Sequence, residues 1–156
     1  MVVGRIIIFR ELWDNDKKAM QNFLSGLSER TLDKWRHYSG EIIDGIYKES
    51  SHKLIGLDDG KIVAYGCLVP NDKYSDAPAL GIVVADEYQG RGIGSFMMRE
   101  LEKLAIEKSY KFIFLTTFKS NHHAFNLYKK VGYEVVDEVE SYGIPAYVMK
   151  KDIRGK

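Results

Sequence analysis

The chain has 156 residues and a mass of 17.9 kDa, a length that suits one compact domain with a core of its own. Lys and Arg number 23 against 22 Asp and Glu, a net charge of +1 that excludes the basic excess of a general nucleic-acid binder. Its 10 Tyr, 7 Phe and 45% hydrophobic content exclude a disordered chain, and the single cysteine, Cys67, excludes an internal disulfide and fits a reducing cytoplasm.

No run approaches the ~20 apolar residues of a membrane helix. The opening Met1 to Phe9 has neither a long apolar core nor a small-residue cleavage site, so no secretion leader is expected. Arg5 to Arg10 is β-branched and predicts a first strand. From Asp14 to Leu27, Ala19, Met20, Phe23, Leu24 and Leu27 recur at helical spacing. Ser28 is a candidate cap for a second helix holding Leu32 and Trp35, and Glu41 to Glu49 is ambiguous, read as a third short helix. His52 to Leu57 and Ile62 to Val69, joined by Asp58-Asp59-Gly60, predict a β-hairpin, because Asp-Gly suits the positive φ of a tight turn.

Asn71 to Pro78 reads as a polar loop and Ala79 to Ala85 as an apolar strand. A glycine-rich turn, Gln89 to Ser95, follows. Behind it Ile93, Met97, Leu101, Leu104 and Ala105 make one stripe of a helix reaching about Lys108. Phe112 to Leu115 is continuously apolar, as in a strand covered on both faces. Asn121 to Lys130 predicts a helix ended by Gly132, and Tyr133 to Glu140 and Pro145 to Lys150 predict two closing strands. No repeat or linker divides the chain. The expectation is a single α+β domain over residues 1–156, built on one central sheet.

Gln89-Gly90-Arg91-Gly92-Ile93-Gly94 lies between a buried strand and an amphipathic helix. Glycines there admit a ligand to the backbone, a helix N-terminus offers free N–H groups, and Arg91 adds positive charge. The physics points to a phosphate or pyrophosphate site. A Walker A loop would need Lys then Ser or Thr after the last glycine, where Ser95-Phe96 stands. A Rossmann fingerprint would need glycine at Ser95 and an acid near Phe112 to Thr117, where there is none.

The string Val83-Val-Ala-Asp-Glu-Tyr-Gln-Gly-Arg-Gly-Ile-Gly resembles the coenzyme A loop of the GNAT N-acetyltransferase superfamily. Downstream, Asn121, Ala124, Phe125 and Tyr128 share one helix face and precede Gly132-Tyr133. That pattern resembles the second GNAT signature, at the family's usual distance. The resemblance covers about Leu80 to Glu134 directly and implies a three-layer α/β fold: a mixed, mostly antiparallel sheet with a splayed parallel strand pair, flanked by helices. It also implies an acetyl-CoA cosubstrate, an amine acceptor on a protein or small molecule, direct attack and no metal. No nucleic-acid or membrane partner is expected, and the molecule is read as a cytoplasmic monomer or homodimer.

By the same resemblance the backbone of Ile82, Val83 and Val84 pairs with the pantetheine, and the Val84 N–H polarises the thioester carbonyl. Gln89 is implied as cofactor-binding, backbone groups of Gly90, Arg91, Gly92, Ile93, Gly94 and Ser95 hold the pyrophosphate, Asn121 bonds the cofactor arm, and Tyr128 protonates the departing thiolate. The places where many relatives carry a basic glutamate hold Ala79 and Thr116. Ordered water, or Glu138, Asp76 or Glu41, is left to take the proton, or else an α-amine acceptor needs less help than a lysine. His122 and His123 point in different directions and are read as solvated or capping. Cys67 is read as a buried thiol, and Glu134, Asp137, Glu138 and Glu140 as the wet face of a strand. Lys34 to His37 is read as a solvated face. Phe23 to Thr31 resembles, loosely, the first-helix segment that forms the acceptor side in protein-modifying GNAT domains. Two alternatives stay open: an acyl-CoA-binding module without catalysis, and a nucleotide-binding regulatory domain.

Overall fold

The computed structural model describes residues 6–34, 46–47, 52–70 and 77–155. Ile7–Glu11 forms β1, His52–Asp58 β2 and Lys61–Val69 β3. Ala79–Val84 is β4, Phe112–Phe118 β5, Glu134–Ser141 β6 and Ile144–Asp152 β7. The helices are α1, Lys17–Ser25, α2, Glu29–Lys34, α3, Ile93–Glu107, and α4, His122–Lys130. All seven strands join one sheet in the order β1-β2-β3-β4-β5-β7-β6, antiparallel everywhere except between β4 and β5.

The hairpin between β2 and β3 turns at Asp59 and Gly60, with φ of 49° and 81°. Two successive positive φ values are what a tight two-residue hairpin turn needs, and Asp-Gly supplies them at low steric cost. Strand β3 is buried from Ile62 to Leu68 and so lies at the centre of the molecule. One of its faces receives α3. A Cβ on Gly66 would lie 2.7 Å from Met97 Cγ and 3.0 Å from a Leu101 methyl, so glycine sets how closely α3 approaches. Helix α1 packs on β3 as well, through a buried stripe of Met20, Phe23 and Leu24.

Two elements differ from the sequence expectation. Asp14–Asp16 is a 3₁₀ turn, and the α-helix begins only at Lys17. The Asp16 carboxylate explains this, because it accepts from the Trp13 N–H at 2.7 Å and from both Arg10 amino groups at 2.8 and 2.9 Å, which tightens the first turn. Strand β5 runs on to Phe118, past the apolar run that ends at Leu115. Thr116 and Thr117 are β-branched, pair with Val148 and Tyr147 of β7, and fit a pleated surface as well as valine would. The segment around Trp35 to His37, most of the ambiguous Glu41 to Glu49 stretch, and Asn71 to Asp76 lie outside the described residues.

Candidate active site

The parallel pair is the opening in this sheet. Strands β4 and β5 meet at Ala79 and Phe114, where the Phe114 N–H donates to Pro78 O at 2.9 Å, and beyond that point no pairing continues. The register of β4 on β3 decides which backbone groups face the gap. Ala85 N–H donates to Val63 O at 2.8 Å, and Val83 lies opposite Tyr65. Antiparallel residues alternate between bonding their partner and pointing away from it. The N–H and C=O groups of Ile82 and Val84 therefore point toward β5, while those of Val83 belong to the β3 ladder. Of the span Ile82 to Val84, Val83 lines the gap without offering it backbone groups.

The gap opens into a groove of about 450 Å³ that runs from β4 and the glycine turn to β5 and α4. Gly90 and Gly92 have φ of 77° and 82°, the left-handed region that favours glycine, and neither has an atom within 4 Å of where a Cβ would stand. Gly92 caps α3, whose first backbone bond is Phe96 N–H to Gly92 O at 3.0 Å. The N–H groups of Ile93, Gly94 and Ser95 precede that bond, so they have no partner within the helix, and all three residues line the groove. This end fits an anion such as a pyrophosphate: donors, a helix dipole and open space beside the chain. Arg91 is placed differently from the expectation. It does not line the groove; its guanidinium stands over the Tyr88 ring at 5.0 Å.

The opposite wall is α4. Asn121 caps it, its side-chain oxygen accepting from Ala124 N–H at a long 3.5 Å. Asn121, His123, Ala124, Leu127 and Tyr128 face the groove. Phe125, on the edge of that face, packs on Tyr147 with ring centroids 5.0 Å apart. Tyr128 is half-buried, edge-on to Tyr133 at 6.1 Å, and its backbone carbonyl accepts from Tyr133 N–H at 2.9 Å. Burial pushes its phenol up to about 12. No side chain among the described residues bonds its hydroxyl.

Gln89 closes the near end. Its amide nitrogen donates to Val84 O at 3.0 Å and to Thr31 Oγ1 at 3.1 Å. The Val84 carbonyl is thereby capped, and its N–H is left as the polar group that this residue offers the gap. Tyr88, beside it, is buried and donates to the Asp58 carboxylate at the tip of the β2–β3 hairpin. Ser28 caps α2 as expected, its hydroxyl accepting from Thr31 N–H at 3.2 Å.

Among the described residues the groove has no carboxylate in its lining. Thr116 stands in its wall, Ala79 at the foot of the parallel pair, and Glu138 is bound to Lys119 at 2.5 Å. Glu41 and Asp76 fall outside the described residues. Cys67 is buried, and Glu134, Asp137, Glu138 and Glu140 are exposed on the edge strand β6. His122 and His123 are both exposed, but His123 also lines the groove. Lys34, Thr31 and Tyr88 line it too, and sequence reading singled out none of them for this place. Tyr88 lies inside the string Val83 to Gly94 that carries the resemblance, and Thr31 ends the segment loosely likened to an acceptor side; Lys34 arrives only through the fold.

The site thus combines a parted parallel strand pair, a glycine turn with free helix N–H groups at its mouth and a phenol on its far wall. The chain belongs to the Acetyltransferase (GNAT) family, whose sequence profile matches residues 10–133. It is 32% identical over 103 residues to a Bacillus subtilis protein provisionally named a ribosomal protein bS18-alanine N-acetyltransferase. That match covers 65% of this chain and 62% of the relative, so the chain spans less than two thirds of the relative's length. Among solved structures, the ribosomal-protein-S18-alanine N-acetyltransferase of Escherichia coli superposes with a TM-score of 0.76 at 18% identity, over 95% of this chain and 94% of the other. The PaiA N-acetyltransferase of Thermoplasma acidophilum, solved with coenzyme A, superposes with a TM-score of 0.73 at 19% identity, over 94% and 99%. At these identities the structures speak for the fold.

Proposed function

We propose that this chain is an N-acetyltransferase that moves an acetyl group from acetyl-CoA to an amine by direct attack. The observation that carries this reading is the Val84 N–H, open to the gap beside a capped carbonyl, at the mouth of an anion-binding turn. Gly90, Gly92, Ile93, Gly94 and Ser95 hold the pyrophosphate through their backbone donors. Ile82 and Val84 pair with the pantetheine amides, and the Asn121 amide supports the same arm from α4.

As the amine nitrogen adds to the thioester carbon, charge gathers on the carbonyl oxygen, where the Val84 N–H receives it. The carbon–sulfur bond then breaks, the thiolate takes the Tyr128 proton, and water returns one to the phenolate. Thiols ordinarily titrate near ~8.5, below the phenol, so transfer to a solvated thiolate would run uphill. Inside the groove the same desolvation that raises the phenol also raises the thiol and narrows the gap. Ordered water takes the ammonium proton, or Glu41 or Asp76 outside the described residues does, the described lining holding no carboxylate. That favours an α-amine, near ~8 when free, over a lysine amine near ~10.4. The bS18-alanine name of the Bacillus subtilis relative points the same way, to a protein α-amine as acceptor. A cytoplasmic site of action suits a chain whose single cysteine, Cys67, is a buried thiol. The binding-only alternative gives the Tyr128 phenol no task.

The test is transfer of labelled acetyl from acetyl-CoA into a pool of protein N-termini, lysine peptides, polyamines and amino acids, read by mass spectrometry. Label in α-amines supports the reading. Label confined to lysine or polyamine amines corrects the acceptor, and binding of acetyl-CoA without any label returns weight to the binding module.

A further inference from the structure

Thr31 is 6% exposed and lies 58 positions before Gln89 and 55 before Asp86, yet it joins both. Its hydroxyl donates to Asp86 Oδ1 at 2.9 Å and accepts from Gln89 Nε2 at 3.1 Å and from the Ser28 hydroxyl at 3.2 Å. A hydroxyl has one proton and two lone pairs, so this one is fully used. Gln89 Nε2 likewise spends its protons on Thr31 and on Val84 O. With both donors directed at acceptors, the carboxamide has one orientation, and it is the orientation that caps Val84. Helix α2 is fixed to the same cluster by the Ser28 N–H, which donates to Asp86 Oδ1 at 3.3 Å.

We propose that Thr31 is a positioning residue for the cofactor site, acting through Gln89 to hold the glycine turn and the end of β4 in their binding geometry. The proposal rests on the acetyl-CoA reading above. Without the threonine hydroxyl the Gln89 amide loses one of its two anchors and is free to leave the Val84 carbonyl. The turn that begins at Gln89 then pays an ordering cost whenever a pyrophosphate binds. Because α2 hangs on the same hydroxyl, helix and cofactor turn are set as one unit.

The experiment measures coenzyme A affinity by calorimetry for the wild type, Thr31→Val, Thr31→Ser, Gln89→Ala and the Thr31→Val/Gln89→Ala pair, with thermal melts alongside. Thr31→Val keeps the shape and removes the hydroxyl; loss of one such bond corresponds to an affinity about fivefold weaker. Thr31→Ser is expected within twofold of the wild type. In the Gln89→Ala background Thr31→Val is expected to add nothing, because the residue it acts through is gone. A residue that merely stabilises the fold would lower the melting temperature and leave the affinity of the folded fraction alone. Should the valine variant not fold, Thr31→Ala takes its place. Wild-type affinity in a folded hydroxyl-less variant overturns the proposal, as does a loss that persists in full in the Gln89→Ala background. No binding of coenzyme A by the wild type overturns the acetyl-CoA reading itself, and this proposal with it.

Discussion

The Tyr128 phenol is protonated over the whole range in which amines lose their proton. Burial holds it up to about 12, so under the proposed mechanism its proton stays available to a leaving sulfur at any pH from ~6 to ~10. The rate is therefore expected to rise with pH as the acceptor amine deprotonates and then to stay level, with no descending limb below about pH 10. Tyr128→Phe keeps the ring that meets Tyr133 and removes the proton. Turnover should fall about a hundredfold or more, with coenzyme A affinity within twofold of the wild type. A pH–rate profile of both proteins is the check. A descending limb below pH 10 in the wild type that vanishes in the phenylalanine variant would contradict the protonation state argued here.

At the scale of elements, two attachments place the walls of the site. Helix α2 hangs on Asp86, whose carboxyl is held below its ordinary value by the hydrogen bonds of Ser28 and Thr31. The unfolded chain then binds a proton more readily than the folded one. The attachment contributes fully above the ordinary carboxylate value of ~4 and is lost as pH falls below it. Asp86→Asn should be less stable than the wild type at pH 7, with the difference narrowing as pH falls below ~4, as urea melts on both sides of that value would show. Equal loss at both pH values would mean that geometry, and not charge, anchors α2. Helix α3 is placed by the absent side chain of Gly66. Alanine there would press a methyl into Met97 and Leu101, and the expected cost is about 1–3 kcal/mol by denaturant melt. An unchanged melt would show that Met97 and Leu101 repack freely, so that the glycine does not set the approach.

Across the whole molecule, what the sequence reveals is what local chemistry writes down. The order of the elements follows from hydrophobic periods, the β2–β3 turn from Asp59-Gly60, and the cofactor mouth from glycines that need positive φ. Helix α4 presents Asn121, Ala124 and Tyr128 to the groove because helical spacing alone puts them on one face. The remainder depends on contacts between distant segments. Thr31 and Lys34 reach the groove only because α2 is tied to Asp86 and Gln89, more than 50 positions away. Arg91 has the right charge and place in the motif, but its guanidinium stands over the Tyr88 ring, 5.0 Å from the centroid, and not in the groove lining. Local periodicity carries no trace of either. Nor does it say which β4 amides face the gap, since that depends on the β3 register.

That register gives the most direct test of the account. Amide exchange followed residue by residue by NMR, with and without coenzyme A, reads the β4 groups one at a time. Added protection is expected at Ile82 and Val84, which face the gap, and at Ile93, Gly94 and Ser95 at the head of α3. Val83, already bonded to β3, should be unchanged. Protection at Val83 but not at its neighbours would invert the register argument, and protection confined to another surface would contradict the site itself.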